Sequence, residues 1–278
     1  MSSTPQRLHP EQVAAFLERI GITGPLKPDA DFLHRIHSAH LHAVPFENLS
    51  IHLGEDMSLD VQALYEKIVT RHRGGFCYEL NGLLAVVLEG LGYRVHRLSA
   101  RTFSAERGFS APMDHLVLRV VDNAGESWLA DVGYGRHTVY PLRYQDRTDQ
   151  RDPGGLFRIT EYEDGELDVL REGEAQYRVD PRPLALSDFV PAMWWQRTSP
   201  QALFTQSLIC SMQTEGEGGG RVSLSGRKLI ITDADGGRQE KELASDEEVL
   251  AAYRELFGFA LTRVPHVRAG TVMGNGVD

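Results

Sequence analysis

The sequence predicts an α+β protein whose elements are segregated along the chain: helices first, then antiparallel strands, then a mixed segment. Three observations carry this. Apolar residues recur at helical spacing up to Gly92. Short stretches rich in β-branched and aromatic residues follow, separated by turn residues. Near the C-terminus strands and one more helix alternate. Segregation of this kind argues against an alternating parallel sheet.

The first helix is EQVAAFLERIG, opened by Pro10 and closed by Gly21, with Val13, Phe16, Leu17 and Ile20 on one side. Asp29 caps the second, DFLHRIHSAHLHAV, whose apolar side is Phe32, Leu33, Ile36 and Leu41 and which Pro45 stops. The third, VQALYEKIVTRHRGG, begins after Asp60 and ends in glycine. A fourth, from about Tyr78 through ELNGLLAVVLEGLG, is apolar on most faces and is predicted to be buried. The strand segments are YRVHRLSARTF, HLVLRVV, SWLADVGYG, LFRITEYE and LDVLRE, with turns at Asp122-Asn123 and Glu163-Asp164-Gly165. They form a barrel or a sandwich. Pro181, Pro183 and Pro191 predict a crossing segment. RVSLSGRKLIITDAD reads as strands, and SDEEVLAAYRELFG as a helix capped by Ser245 with Glu248 three residues on. The glycines at 216–220 form a loop, not a phosphate-binding loop, because no Gly-Lys-Ser/Thr follows.

Length and composition bound the function. A chain of 278 residues is long enough for two or three packed subdomains. Lys plus Arg total 29 and Asp plus Glu 39, a net charge of 29 − 39 = −10. That charge argues against nucleic acid and against anionic membrane surfaces as partners. The two cysteines make no disulfide framework, no segment is apolar enough to span a membrane, and the N-terminus has no signal-peptide core. A cytoplasmic location is expected.

Cys77 sits in RHRGGFCYELNG, after two glycines and at a helix start. Free cysteines are usually small buried hydrophobes. At a helix N-terminus, however, the dipole and unpaired amides favour the reactive thiolate, and the glycines let the backbone approach a substrate carbonyl. A thiol nucleophile needs a base and a group that orients the base. His115 opens one strand and Asp131 closes the next, 131 − 115 = 16 residues apart, with the Asp122-Asn123 turn between them. A hairpin with that turn brings the two together. Taken singly, His115 reads as an ordinary strand histidine and Asp131 as a turn cap; the hairpin that links them carries the argument. His34, His37 and His40, spaced by three, raise a metal site. A solvated helix face is expected there, and no metal. His72, His96, His137 and His266 show no partner in the sequence, and Cys210 reads as core.

VPFENL at 44–49, RGGFCYELN at 73–81, DHLVL at 114–118 and DVGYG at 131–135 together resemble the arylamine N-acetyltransferases. Tyr134 stands where that family more often has Phe. The resemblance implies a helical subdomain over 1–92, a β-barrel subdomain over 93–200 and an α/β lid over 201–278, around a core shared with papain-like thiol enzymes and transglutaminases. It implies Cys77 as nucleophile, His115 as base and Asp131 as orienter, with Arg73 and Glu47 as a structural ion pair beside them. It implies acetyl transfer from acetyl-CoA through an acetyl-cysteine to aromatic amines, hydrazines or N-hydroxyarylamines, with no metal. CoA is expected in the cleft between barrel and lid. By position its contacts are Thr102, Phe103, Gly133, Gly135, Phe204 and Ser207, with Arg221, Arg227, Lys228, Arg263 and Arg268 as available positive charge. Met193, Trp194 and Trp195 either line the pocket or pack the crossing segment. The rival readings are a macrolactam-forming amide synthase with the same motifs, a thiol hydrolase, and a catalytically silent binding relative.

Overall fold

The structure, a computed structural model, describes residues 7–24, 27–214 and 220–267. Arg268 and most of the glycine loop at 216–220 lie outside the described residues. Helices come first: α1 (Pro10–Arg19) and α2 (Ala30–Ala43), the latter capped by the Asp29 carboxylate accepting from Phe32 N–H. A two-residue strand β1 (Phe46–Glu47) leads into the short helix α3 (Leu49–Leu53). Helix α4 (Val61–Tyr65) continues as a π-helical turn, Glu66–Thr70, where the sequence predicts plain α-helix. Helix α5 (Cys77–Gly90) is buried along most of its length, as its apolar faces require.

The strands follow as β2 (Arg94–Ser104), β3 (Gly108–Phe109), β4 (His115–Val121), β5 (Ser127–Ala130), β6 (Leu142–Arg143), β7 (Gln150–Asp152), β8 (Gly155–Glu161), β9 (Leu167–Arg171) and β10 (Glu174–Leu184). They pair antiparallel in the order β6-β5-β4-β2-β10-β9-β8-β7, with β3 added to β2. The Gln150 side chain joins the two edge strands: its amide accepts from Arg143 N–H at 2.7 Å and donates to Arg143 O at 3.1 Å. The sheet is thereby a nearly closed eight-stranded barrel. Leu98, Val117, Phe157, Val169 and Tyr177 fill its interior. Strand β4 alternates as period two demands: Val117 faces the interior while Leu116, Leu118 and Val120 pack with the helices.

Pro181 and Pro183 do not mark a crossing segment. They lie within β10, an interior strand. The register slips between Asp180 and Pro183, so Pro181 and Arg182 bulge out, and β9 stops pairing at Val179. Proline is tolerated there because one side of the strand has no ladder to break. Pro191 sits in the first turn of α6 (Val190–Thr198).

The last part holds α7 (Leu203–Gln206), β11 (Cys210–Gln213), β12 (Arg221–Ser225), β13 (Lys228–Thr232), β14 (Arg238–Glu242) and α8 (Asp246–Phe257), whose Ser245 cap accepts from Glu248 N–H. Its sheet runs β1-β11-β12-β13-β14, so a strand from the N-terminal region forms one edge. Leu49 and Leu53 pack in the same core as Leu224, Val249 and Tyr253. No helix among the described residues is long and apolar enough to cross a membrane.

Candidate active site

Helix α5 starts at Cys77, with Phe76 as its N-cap. The Glu79 carboxylate reaches back to accept from Phe76 N–H at 3.2 Å, which fixes the helix start. Across from it, the turn between β4 and β5 is tied by Asp122, whose carboxylate accepts from Ala124 N–H, Glu126 N–H and Trp128 Nε1–H. The ladder runs from Val121↔Ser127 to Leu118↔Ala130. His115 and Asp131 lie just beyond its open end, and His115 Nε2 donates to Asp131 Oδ2 at 2.7 Å. The other ring nitrogen is left for Cys77, whose thiol is a hydrogen-bonding neighbour of the imidazole. All three groups are buried.

The charges follow from this packing. Burial opposes a charged His115, but the Asp131 carboxylate, its hydrogen bond and the Cys77 thiol outweigh burial and push the pKa up to about 10. Burial likewise opposes the Asp131 carboxylate, yet His115 and the Asn81 amide hold its pKa down at about 2. An imidazolium–carboxylate pair results.

Two partners of Asp131 escape the sequence reading. Asn81 Nδ2 donates to Asp131 Oδ1 at 2.9 Å and to Leu116 O, and Asn81 Oδ1 accepts from Val132 N–H. Its signal was available, because Asn81 is four residues after Cys77 on one helix and therefore shares its face. The other is His37: Asp131 N–H donates to His37 Nε2 at 3.1 Å, and His37 Nδ1 bonds Val139 O at 2.8 Å. The histidine face of α2 is thus not solvated. His37 and His40 are fully buried, and burial drives the His40 pKa down to about 3. No spacing reveals this, because the face is covered by other elements: Phe16 of α1 lies against His40, and the barrel side supplies Asp131 and Val139 to His37. Among the described residues no cluster of His, Cys, Asp or Glu is placed to hold a metal ion.

Glu47 and Arg73 lie in a longer chain of charge. Arg73 Nη2 and Nε meet Glu47 Oε1 at 2.9 and 3.0 Å, and Arg73 Nη1 reaches Glu55 at 3.2 Å. Lys67, turned inward from the π-helical turn, lies 3.9 Å from Glu47 and 2.7 Å from Glu79. Glu47 Oε2 accepts from Leu49 N–H. The chain runs from α3 to the N-cap of α5. Gly74 and Gly75 serve packing and do not line the cavity beside Cys77: a Cβ on Gly74 would stand 1.9 Å from Pro45 O.

A cavity of about 480 Å³ opens on Cys77 and His115. Thr102, Phe103, Gly133 and Phe204 line it, with Tyr134 and Trp195. Gly135 and Ser207 do not. The Gly135 carbonyl is taken by Arg221, and the Ser207 hydroxyl bonds Leu203 O while its own carbonyl accepts from Asn48. Trp194 is exposed away from the cavity and Met193 is core. Of the remaining basic residues, Arg227 pairs with Asp246, Lys228 with Glu240, and Arg263 binds Leu53 O. Arg221 instead lines a second cleft of about 420 Å³ with Arg136, Arg171 and Arg238, between the barrel and the C-terminal sheet. His137, without a visible partner in the sequence, is buried at the inner side of that cleft with Nε2 against the Tyr177 hydroxyl, and burial lowers its pKa to about 3.

A thiol at a helix start beside an imidazole–carboxylate pair on a barrel is the arrangement of thiol enzymes that pass acyl groups. Comparison with known proteins narrows the class. The N-acetyltransferase family model matches residues 29–265. The arylamine N-acetyltransferase of Mycolicibacterium smegmatis is 36% identical over 260 residues, 90% of this chain and 92% of that one. The solved arylamine N-acetyltransferase of Salmonella typhimurium is 27% identical with a TM-score of 0.83, covering 93% of this chain and 95% of that one. That of Mycobacterium marinum in complex with CoA is 31% identical with a TM-score of 0.80, covering 89% and 92%. The chain belongs to the arylamine N-acetyltransferase family, a family of acyltransferases.

Proposed function

We propose that this protein transfers acetyl from acetyl-CoA to aromatic amines, hydrazines or N-hydroxyarylamines, with Cys77 as nucleophile, His115 as base and Asp131 as orienter. The observation that carries the reading is the juxtaposition at one cavity of the Cys77 thiol and a His115 held charged by Asp131 at 2.7 Å.

The Cys77 sulfur attacks the thioester carbonyl, and the backbone amide at the helix start is placed to steady the oxyanion. The carbon–sulfur bond to CoA breaks, and the CoA thiolate takes the proton of His115. The amine then attacks acetyl-Cys77, His115 accepts its proton, and the thiol is regenerated. Asp131 keeps a hydrogen on Nε2 throughout, so the nitrogen facing Cys77 is the one that gives and takes the proton. In a chain of net charge −10, the arginine cleft supplies the local positive charge that a polyphosphate needs. The cytoplasmic location belongs to the same proposal, because a free thiol works in a reducing compartment.

The test is intact-mass spectrometry after incubation with acetyl-CoA and no amine, alongside Cys77→Ala. One acetyl group on the native protein, absent from the variant and lost when an arylamine is added, is the expected result. No acetylation of a folded native protein overturns the reading and favours a carrier-dependent amide synthase or a silent relative.

A further inference from the structure

Asp131 orients His115, but something must orient Asp131. The β4–β5 ladder ends at Leu118↔Ala130, so the backbone of Asp131 has left the sheet and has no strand partner. Its N–H is nevertheless bonded, to His37 Nε2 at 3.1 Å. The same ring bonds Val139 O at 2.8 Å through Nδ1. Asp131 and Val139 are the two sides of the loop that joins β5 to β6. The imidazole of α2 therefore straps this loop and stands where a neighbouring strand would.

The partners fix its chemistry. A carbonyl only accepts, so Nδ1 carries the hydrogen; a backbone N–H only donates, so Nε2 is bare. A single neutral tautomer satisfies both. Burial, which lowers the pKa of His37, keeps it in that form. Among the described residues no other group meets the backbone amide of Asp131, whose carboxylate is held separately by Asn81, Gly133 N–H and His115.

We infer that His37 is a positioning residue for the transfer reaction: it fixes the backbone of Asp131 and, through it, the imidazole of His115. The inference rests on the proposed roles of Cys77, His115 and Asp131.

Two substitutions separate this role from packing. The amide of His37→Gln presents a donor and an acceptor at the reach of the imidazole nitrogens. That of His37→Asn keeps a donor near Val139 O but falls short of Asp131. Three quantities are measured at 10 °C, below any lowered melting point: the single-turnover rate of Cys77 acetylation by acetyl-CoA, the pH profile of Cys77 alkylation by iodoacetamide, and the low-field proton NMR signal of the His115–Asp131 hydrogen bond. The expected result is an acetylation rate about tenfold or more lower in His37→Asn, an alkylation profile displaced to higher pH, and a shifted or broadened NMR signal. His37→Gln is expected to stay within about threefold of native by the same reasoning. Native rate, profile and signal in His37→Asn, even with a lowered melting point, make His37 structural only and overturn the inference. Both variants falling together with the same profile do so as well. Native protein that is not acetylated at all defeats the proposed function instead, so the two failures are distinguishable.

Discussion

A methyl group on Gly133 would stand 2.7 Å from Cys77 Cα and 2.9 Å from Asn81 Nδ2. Neither neighbour can yield, because Cys77 Cα is helix backbone and the Asn81 amide is spent on Asp131 and Leu116. Gly133→Ala is therefore expected to push the thiol out of line and slow Cys77 acetylation on the order of a hundredfold; single-turnover mass spectrometry reads the rate. The neighbouring His115–Asp131 pair makes a pH prediction. The folded pKa of His115 is raised to about 10, so its stabilising contribution is complete below the unfolded value near 6.5 and declines as pH rises towards 10. That of Asp131 is lowered to about 2, so its contribution is lost only as pH falls from about 4 to 2. Melting temperatures recorded from pH 6 to 10 are expected to fall more steeply for the native protein than for His115→Gln. Parallel curves would show that the ion pair is not what titrates.

At the scale of elements, one guanidinium joins three pieces of chain. Arg73 precedes α5, Glu47 is in β1 and Glu55 follows α3. Arg73→Ala leaves Glu47 fully buried with Lys67 3.9 Å away as its remaining cation. The expected loss of stability is on the order of 3–5 kcal/mol, measured by urea unfolding. A loss below about 1 kcal/mol, the size of a surface pair, would contradict the buried chain of charge. Elements also show where sequence reasoning succeeds and stops. Helices α2 and α8 were legible because each carries its own period and cap: Asp29 and Ser245 bond the amides their positions demand. Strand β10 was not, because proline usually forbids an interior strand, and only the bulge and the end of β9 lift that objection. The π-helical turn leaves no mark in composition, yet it aims Lys67 at Glu79.

For the whole molecule, the candidate site was legible where function had written itself into short motifs. His115 and Asp131 could be set together from one hairpin turn and Cys77 placed at a helix start, and the family motifs joined the thiol to the pair. His37 could not, because the separation of 94 positions from Asp131 is bridged only by packing the helices on the barrel. The arginine cleft was equally hidden: Arg136, Arg171, Arg221 and Arg238 come from four separate segments. Against a net charge of −10 it is a local exception, and the proposal that it receives the phosphates of CoA predicts binding sensitive to ionic strength. The KM for acetyl-CoA is expected to rise several-fold between about 20 and 500 mM NaCl with kcat little changed; a KM independent of salt would show that the phosphates do not meet the arginines.

Strand β1 is only two residues long, and its partner is β11: Glu47 lies opposite Cys210, which is 210 − 47 = 163 residues later. During synthesis at about 5–20 residues per second, Glu47 is made about 8–33 seconds before that partner. Through this interval Leu49 and Leu53, which end in the core with Val249 and Tyr253, have nothing to cover them. The first third of the chain, which carries the thiol, must therefore leave the ribosome with an open apolar flank, and its last stretch closes the molecule.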